Sequence, residues 1–337
     1  MAGPGNAGGS KPLRVLAIIP GSEQGTSFIF AKRQMAKIRD LGVDVRFFWL
    51  GERLSPMGLL SEWNRLKRVI ADVDPDVVHA HYGTVTALVS ALTGRRPFVI
   101  TFRGSDLNGS RAVSPLRSTL GVLMSEIAAL AASGIVCVSR RLGERLWWRK
   151  DRVQVIPSGV DESVFRPIPL VEARGALGWT LEERVILFHG ARDATNARVK
   201  RLDLARAATA VAQRLAPGAR LEILDGGVDA DAIAVYMNAA DCLLLTSDTE
   251  GSPNVIKEAL ACDLPIVSVD VGDVPERVSG VEPGGIVERD PERLGAAIAE
   301  VLEKRLRSNG HEAIREITTR RVAERIMDVY QRVAGRP

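Results

Sequence analysis

A chain of 337 residues with 46% hydrophobic and 26% charged content has the makeup of a soluble globular protein of two ordinary domains. No apolar run reaches the length of a membrane span. The head of the chain, MAGPGNAGGSKP over residues 1–12, reads as a disordered lead-in that lacks the apolar segment of a secretory signal. Cys137, Cys242 and Cys262 lie in apolar contexts without paired spacing, so buried free thiols in a reducing, cytoplasmic setting are expected rather than a disulfide framework.

In chain order, LRVLAII, VDVRFFW, DVVHAHY, PFVITF, GIVCVS and VQVIP read as short strands, separated by helical stretches near 27–41, 59–71, 84–93, 115–132 and 140–148. The segment IPSGVDESVFRPIP, rich in Pro, Gly and Asp, ends this alternation. A second one begins at RVILFHG and continues through RLEILD, CLLLTS and LPIVSV, with helices near 201–214, 229–240, 253–262 and 291–306. Apolar strands alternating with amphipathic helices predict parallel sheets covered on both faces. The predicted fold class is therefore α/β with two Rossmann-like domains, residues 13–160 and 161–310, followed by a terminal helix within 311–337. Charge divides along the same line. Residues 1–160 carry 22 Lys and Arg against 12 Asp and Glu, and residues 161–337 carry the remaining 23 against 29, giving +10 and −6. The basic half suits an anionic acceptor or the anionic inner face of a membrane, or is a solvated Arg-rich surface. The Trp-bearing basic stretches WNRLKR and RLWWRK hint weakly at the membrane.

Ligands of open parallel sheets bind beyond the carboxyl ends of the strands, so the chemistry is sought there. After the first strand, Gly21 and Gly25 form either a phosphate-approaching turn or a simple βα turn; their spacing is not the dinucleotide fingerprint. His79 and His81 alternate onto one face of a strand end, where a metal pair is conceivable, but no matching third ligand stands out and a structural role is favoured. Arg103, Gly104, Ser105 and Asp106 follow PFVITF. Arg103 suits a phosphate or carboxylate, and Asp106 would orient it or touch an acceptor hydroxyl; an Arg–Asp pair ordering the loop is the competing reading. The most informative stretch is TSDTEGSPNVIKEALACDLPIVS. There a strand runs through a polar turn into a helix opening at Ser252, Pro253 and Asn254. Ser252 is expected to cap that helix, with Pro253 at its first position, and the free amides and helix dipole form an anion site. Glu258, two turns in, should reach back toward the helix start, and Glu250 flanks it on the other side.

The seven-residue separation of Glu250 and Glu258 within EGSPNVIKEALA resembles the paired-glutamate motif of the retaining family 4 glycosyltransferases, which have the GT-B fold. The resemblance implies that Glu258 holds the ribose hydroxyls, that Glu250 positions the donor sugar, and that Gly251, Ser252, Pro253 and Asn254 offer backbone amides to sugar and phosphates. In FHGARDATNARVK, Gly190, Arg192 and Lys200 resemble the family element that binds the donor diphosphate, with Arg198 and Arg201 as fallbacks. Asp273, in SVDVGDVPE, resembles a loop near the donor, and loop capping is the equal alternative. The family likeness raises His81 as a cleft residue and places Gly21 and Gly25 on the acceptor side. Many members carry a histidine where Arg103 stands; an arginine cannot shuttle a proton. The wording is similar to enzymes that build cell-surface polysaccharides such as teichuronic acid. The resemblance implies a metal-independent transfer from a nucleotide-sugar donor, with no cofactor, to a glycan, lipid-linked or small-molecule hydroxyl acceptor. It also implies a terminal helix that packs back on the first domain. Nucleic acid is not an expected partner. A sugar-nucleotide epimerase of the same architecture and a non-catalytic sugar-nucleotide-binding protein are the alternative readings.

Overall fold

The computed structural model describes residues 11–24, 28–51, 55–94, 97–110, 113–190, 194–225 and 227–335. In the first lobe, β1 (Arg14–Pro20), β2 (Asp44–Leu50), β3 (Val77–Ala80), β4 (Phe98–Phe102), β5 (Gly134–Cys137) and β6 (Val153–Val155) alternate with α1 (Ile29–Asp40), α2 (Pro56–Val73), α3 (Thr84–Ala91), α4 (Ser105–Asn108), α5 (Pro115–Ala131) and α6 (Arg140–Glu144). The second lobe contains β7 (Arg184–His189), β8 (Ala219–Leu224), β9 (Cys242–Leu245), β10 (Ile266–Ser268) and β11 (Gly284–Ile286). Its helices are α7 (Leu170–Leu177), α8 (Ala194–Lys200), α9 (Leu202–Leu215), α10 (Ala230–Ala239), α11 (Asn254–Ala261), α12 (Val274–Arg277) and α13 (Pro291–Lys304), followed by α14 (Gly310–Ala313) and α15 (Thr319–Ala334).

Both sheets are wholly parallel, in the orders β2-β1-β3-β4-β5-β6 and β11-β10-β9-β7-β8. The inner strands β1, β3, β4, β5, β7, β9 and β10 are largely apolar runs because they are covered on both faces. Leu16 and Ile18 of β1 pack toward Leu66 of α2, Ala87 of α3 and Ala128 of α5. Val15 and Ala17, one residue out of phase, pack with Met35 of α1 and Ile326 of α15. Helix starts have local causes. Ser55 and Ser114 accept the amide three residues on, ahead of Pro56 and Pro115 at the first helical position. Asp290 and Thr318 do the same for α13 and α15.

The lobes are joined twice, by residues 156–161 leading out of β6 and by residues 317–319 leading into α15. The two crossings are hydrogen-bonded to each other: the Val160 amide donates to the Ile317 carbonyl at 3.0 Å, and the Thr319 amide to the Val160 carbonyl at 2.9 Å. At Gly159 a Cβ would lie 2.7 Å from Thr319 Cα, so only glycine allows this approach. Beyond the crossing, α15 lies on the first lobe, with Val322, Ala323, Ile326, Val329 and Tyr330 buried there.

The short β11 has no counterpart among the predicted strands, because GGI offers no apolar run. Gly284 has φ of 116°, and a Cβ there would overlap the Ile266 carbonyl, so the close approach to β10 requires glycine. The final helix begins later than 311 because residues 310–317 form two short separate turns before the Thr318 cap.

Candidate active site

The second lobe supplies the acidic and basic pair. Lys200, the last residue of α8, places Nζ 2.6 Å from Glu250 Oε1, with both side chains about four-fifths buried. The pair is held from behind by Thr246 at the end of β9, whose hydroxyl donates to the carbonyls of Lys200 (2.8 Å) and Arg201 (3.0 Å). Arg289 donates to the carbonyls of Thr246 and Ser247, which fixes the same strand exit. Arg201 is tied to Asp203 and Asp248, and those bonds raise its pKa further. It is thus a brace rather than a substitute for Lys200. Gly190 follows β7 and donates its amide to the Leu224 carbonyl, where a Cβ would press on Ile223 and Leu224 at 3.3 Å. Arg192 and Gly25 lie outside the described residues.

The start of α11 departs from expectation. The helix begins at Asn254, Pro253 stands at the capping position, and no side chain caps it. Ser252 Oγ instead donates to Asp273 Oδ2 at 2.9 Å and accepts from Lys257 Nζ at 3.3 Å. Lys257 Nζ also reaches the Ser158 carbonyl of the inter-lobe crossing at 3.0 Å, and Arg277 Nε donates to Asp273 Oδ2 at 2.8 Å. Burial pulls the Lys257 ammonium down to about 8, with the Asp273 charge opposing. Asp273, itself fully buried, is therefore part of a charged network that seats α11 and ties it to the crossing. Glu258 and Asn254, one helical turn apart, line a cavity of about 60 Å³ with Arg33, Gln34, Gly159 and Asp161. Burial raises the Glu258 carboxyl to about 7, against the pull of Lys257 and Arg33. Asn254 Oδ1 is buried there without a hydrogen-bond partner.

In the first lobe three expectations change. Asp106 is fully buried and accepts the amides of Gly83 (3.0 Å), Arg103 (3.0 Å) and Gly104 (2.8 Å). Its carboxylate shapes the loop and touches neither the Arg103 guanidinium nor the cleft. His81 is also fully buried, 3.9 Å ring to ring from His79. Burial first, with the Arg103 charge nearby, holds it neutral, so it backs the site instead of lining it. His79 is satisfied by Tyr330 Oη (2.6 Å) and Thr101 Oγ1 (2.7 Å), which pins α15 to β3. The Arg103 guanidinium donates to Ser158 Oγ (2.9 Å) and Gln34 Oε1 (3.1 Å) and stacks over Phe30. The bond to Ser158 braces the crossing, and the contacts with Gln34, Phe30 and His81 hold the guanidinium against α1 and the end of β3, with Nε buried and unpartnered. Gly21 takes φ of 97° and donates its amide to the Leu50 carbonyl, closing the turn after β1. Among the described residues, no group of three or more His, Cys, Asp and Glu is placed to hold a metal ion.

The lobes meet where Gly251 abuts Arg103 and Gly104: a Cβ on Gly251 would overlap the Arg103 carbonyl oxygen. Nearby, Arg141 Nη1 of the first lobe lies 2.5 Å from Asp270 Oδ1 of the second. A polar chamber of about 740 Å³ lies between the lobes, lined by Glu250, Asp248 and Gly272 on one side and Asn108, Ser110 and Arg141 on the other. Glu258 is not among its walls. Glu250 and Glu258 thus line separate cavities.

Comparison with known proteins agrees with this layout. The first lobe matches the Glycosyltransferase Family 4 domain over residues 24–164, and the second matches Glycosyl transferases group 1 over 204–304. The putative teichuronic acid biosynthesis glycosyltransferase TuaC of Bacillus subtilis is 30% identical over 219 residues, covering 60% of this chain and 55% of that protein. The chain spans about half the length of the curated relatives it matches. Sucrose-phosphate synthase from Thermosynechococcus elongatus shares the fold with a TM-score of 0.74 at 18% identity, over 96% of this chain and 99% of that one. HepE of Anabaena, solved in complex with UDP, does so with a TM-score of 0.72 at 18% identity, over 95% and 100%. The fold is GT-B: two facing Rossmann-like lobes, each with a parallel sheet. The chain is thus similar to glycosyltransferases in both lobes, through a family 4 domain in the first and a group 1 domain in the second. Among the described residues, no helix is long and apolar enough to cross a membrane.

Proposed function

We propose that the protein is a retaining glycosyltransferase that moves a sugar from a nucleotide-sugar donor to a hydroxyl acceptor. The observation that carries this reading is the Lys200–Glu250 pair at the strand ends of the second lobe, where Glu250 faces the polar chamber and the first lobe across it. Breaking the bond from sugar to phosphate builds negative charge on the departing diphosphate. A fixed ammonium at Lys200 and the amides opening α11 oppose that charge without reorganisation. Glu250 accepts hydrogen bonds from donor-sugar hydroxyls while Lys200 holds its carboxylate in place. Glu258, with the unpaired Asn254 oxygen beside it, takes the ribose hydroxyls.

The carboxylates that line the chamber are each held by a cation: Glu250 by Lys200, Asp248 by Arg201 and Arg289, and Asp270 by Arg141. His81 is sealed behind Arg103, and Asp106 is engaged by three amides. A same-face displacement fits this. The acceptor oxygen bonds to the anomeric carbon on the side the diphosphate leaves, and its proton passes to a leaving phosphate oxygen. The Glu258 cavity, about 60 Å³, is far too small for a nucleoside in this arrangement. Donor entry thus requires the lobes to part about the paired crossings at 156–161 and 317–319, and reclosure excludes water as a competing acceptor. The likeness to TuaC, a putative teichuronic acid biosynthesis glycosyltransferase, supports a role in glycan biosynthesis, and HepE, solved with UDP, makes uridine diphosphate sugars the first donors to try.

A thermal-shift screen of UDP-, GDP-, ADP- and TDP-sugars, followed by transfer assays with the stabilising donor, tests the reading. One nucleotide class should raise Tm, and Glu250→Ala should abolish turnover. An epimer formed from donor alone would favour the epimerase, and donor binding without turnover on any acceptor would favour a sensor. Turnover by Glu250→Ala and Glu258→Ala at the parent rate would refute the site.

A further inference from the structure

A second chamber adjoins the polar one and differs from it in character. It has a volume of about 720 Å³ and lies in the first lobe, at the ends of β1 and β2 and against the opening turns of α2 and α3. Pro20, Leu50, Leu59, Val85, Leu120 and Met124 supply its apolar wall. Ser110, Val113 and Ser118 line both chambers, so the two form one bent space, polar at the Glu250 end and apolar at the other.

The apolar end continues onto the surface through Leu120. That residue belongs to a stripe on α5 formed by Leu116, Leu120, Leu123, Ile127 and Leu130, which are 39% to 73% exposed. The steps of four and three keep the five residues on one face for about 21 Å at 1.5 Å per residue. Arg117 is the sole exposed charged residue of this helix, whereas an outward helix face ordinarily carries charge. Contiguous exposed apolar surface of this kind marks a binding site.

We propose that the acceptor is a lipid-linked molecule whose hydroxyl-bearing head occupies the polar chamber beside Glu250 and whose long apolar tail passes through the apolar chamber and out along the α5 stripe. This rests on the glycosyl-transfer reading above and names its acceptor class. The occupant follows from continuity: the apolar tract begins at the reaction chamber and extends well beyond the span of a small aglycone.

The test uses the full chain and alkyl β-glucosides with methyl, butyl, hexyl, octyl and dodecyl tails, each titrated calorimetrically below its micelle concentration. Affinity should climb by about threefold to fourfold per methylene buried and continue to climb beyond octyl. Val85→Trp, which narrows the chamber at the opening of α3, should flatten the climb. Leu120→Asp, at the half-exposed rim, should do the same without overpacking the core. Ile127→Asp, on the stripe, should weaken only the longest tails. A flat series would overturn the proposal, and so would a climb indifferent to Val85→Trp and Leu120→Asp. A climb that ends by hexyl and ignores Ile127→Asp would assign the chamber to a soluble acceptor and overturn the lipid tail. Nucleotide-sugar binding by thermal shift is read separately: its absence would defeat the transfer reading, whereas its presence with a flat alkyl series would defeat this inference alone.

Discussion

Glu258→Gln should stabilise the fold while weakening donor binding. Burial raises the Glu258 carboxyl from its ordinary value of 4.5 to about 7. A carboxyl so displaced lowers stability by about 3 kcal/mol once it is ionised, at 1.36 kcal/mol per pKa unit. The sign follows from proton binding. Between pH 4.5 and 7 the folded chain binds more protons at this site than the unfolded chain, so stability falls as pH rises through that window and stays low above it. Glutamine keeps the shape and removes the titration. Partial exposure to water reduces the gain, as does the loss of a negative neighbour for buried Lys257. The expected result is about 1 to 3 kcal/mol greater stability at pH 8, no measurable change at pH 4, and a flatter profile between them. Urea unfolding followed by far-UV circular dichroism at pH 4, 5, 6, 7 and 8 gives the curve. Nucleotide-sugar affinity at pH 8 should fall tenfold or more in the same variant. Parallel pH profiles for parent and variant would refute the burial argument, and unchanged affinity would refute the ribose assignment.

Lys200→Met removes the cation beside Glu250 and should lower kcat/KM by roughly 100- to 1000-fold, the scale of a lost electrostatic donor in a transition state, with Tm close to the parent. Gly251→Ala places a methyl group against the Arg103 carbonyl, so small-angle scattering should show a more open molecule and transfer should fall at least tenfold; an unchanged radius of gyration would contradict the contact. Arg141→Ala breaks an exposed inter-lobe ion pair worth at most about 1 kcal/mol, so KM should rise by no more than about fivefold, and the difference from the parent should shrink in high salt.

The two sheets were legible because strands buried on both faces leave unbroken apolar runs such as RVLAII and CLLLTS. What was hidden depends on partners distant in the chain. Ser252 carries every local mark of a helix cap, yet its hydroxyl is taken by Asp273 and by Lys257, whose ammonium also binds Ser158, 99 residues away. The sequence offers Asp106 as a partner of Arg103, an acceptor contact or a loop-ordering residue, and nothing local reveals that the Gly83 amide, 23 residues upstream, turns it inward. His81 alternates with His79 as a strand end should, but burial of that edge under α15 and Arg103 is a tertiary event. Lys200 and Glu250 were found through a family motif, and no periodicity of their own announces them. The 4-3-4-3 leucine spacing of α5 is visible in PLRSTLGVLMSEIAALA, but the same spacing describes a buried face. Only the fold shows that Ser125, Glu126, Ala128 and Ala129 point inward while the leucines point out.

The most direct test of the central claim is the rate at which nucleoside diphosphate is released from the stabilising nucleotide sugar in the presence of acceptor, compared between parent and Glu250→Gln. If the Lys200–Glu250 lip of the polar chamber is where glycosyl transfer occurs, release should fall by at least 100-fold while donor affinity changes by less than tenfold. A variant that releases diphosphate as fast as the parent would place the chemistry elsewhere.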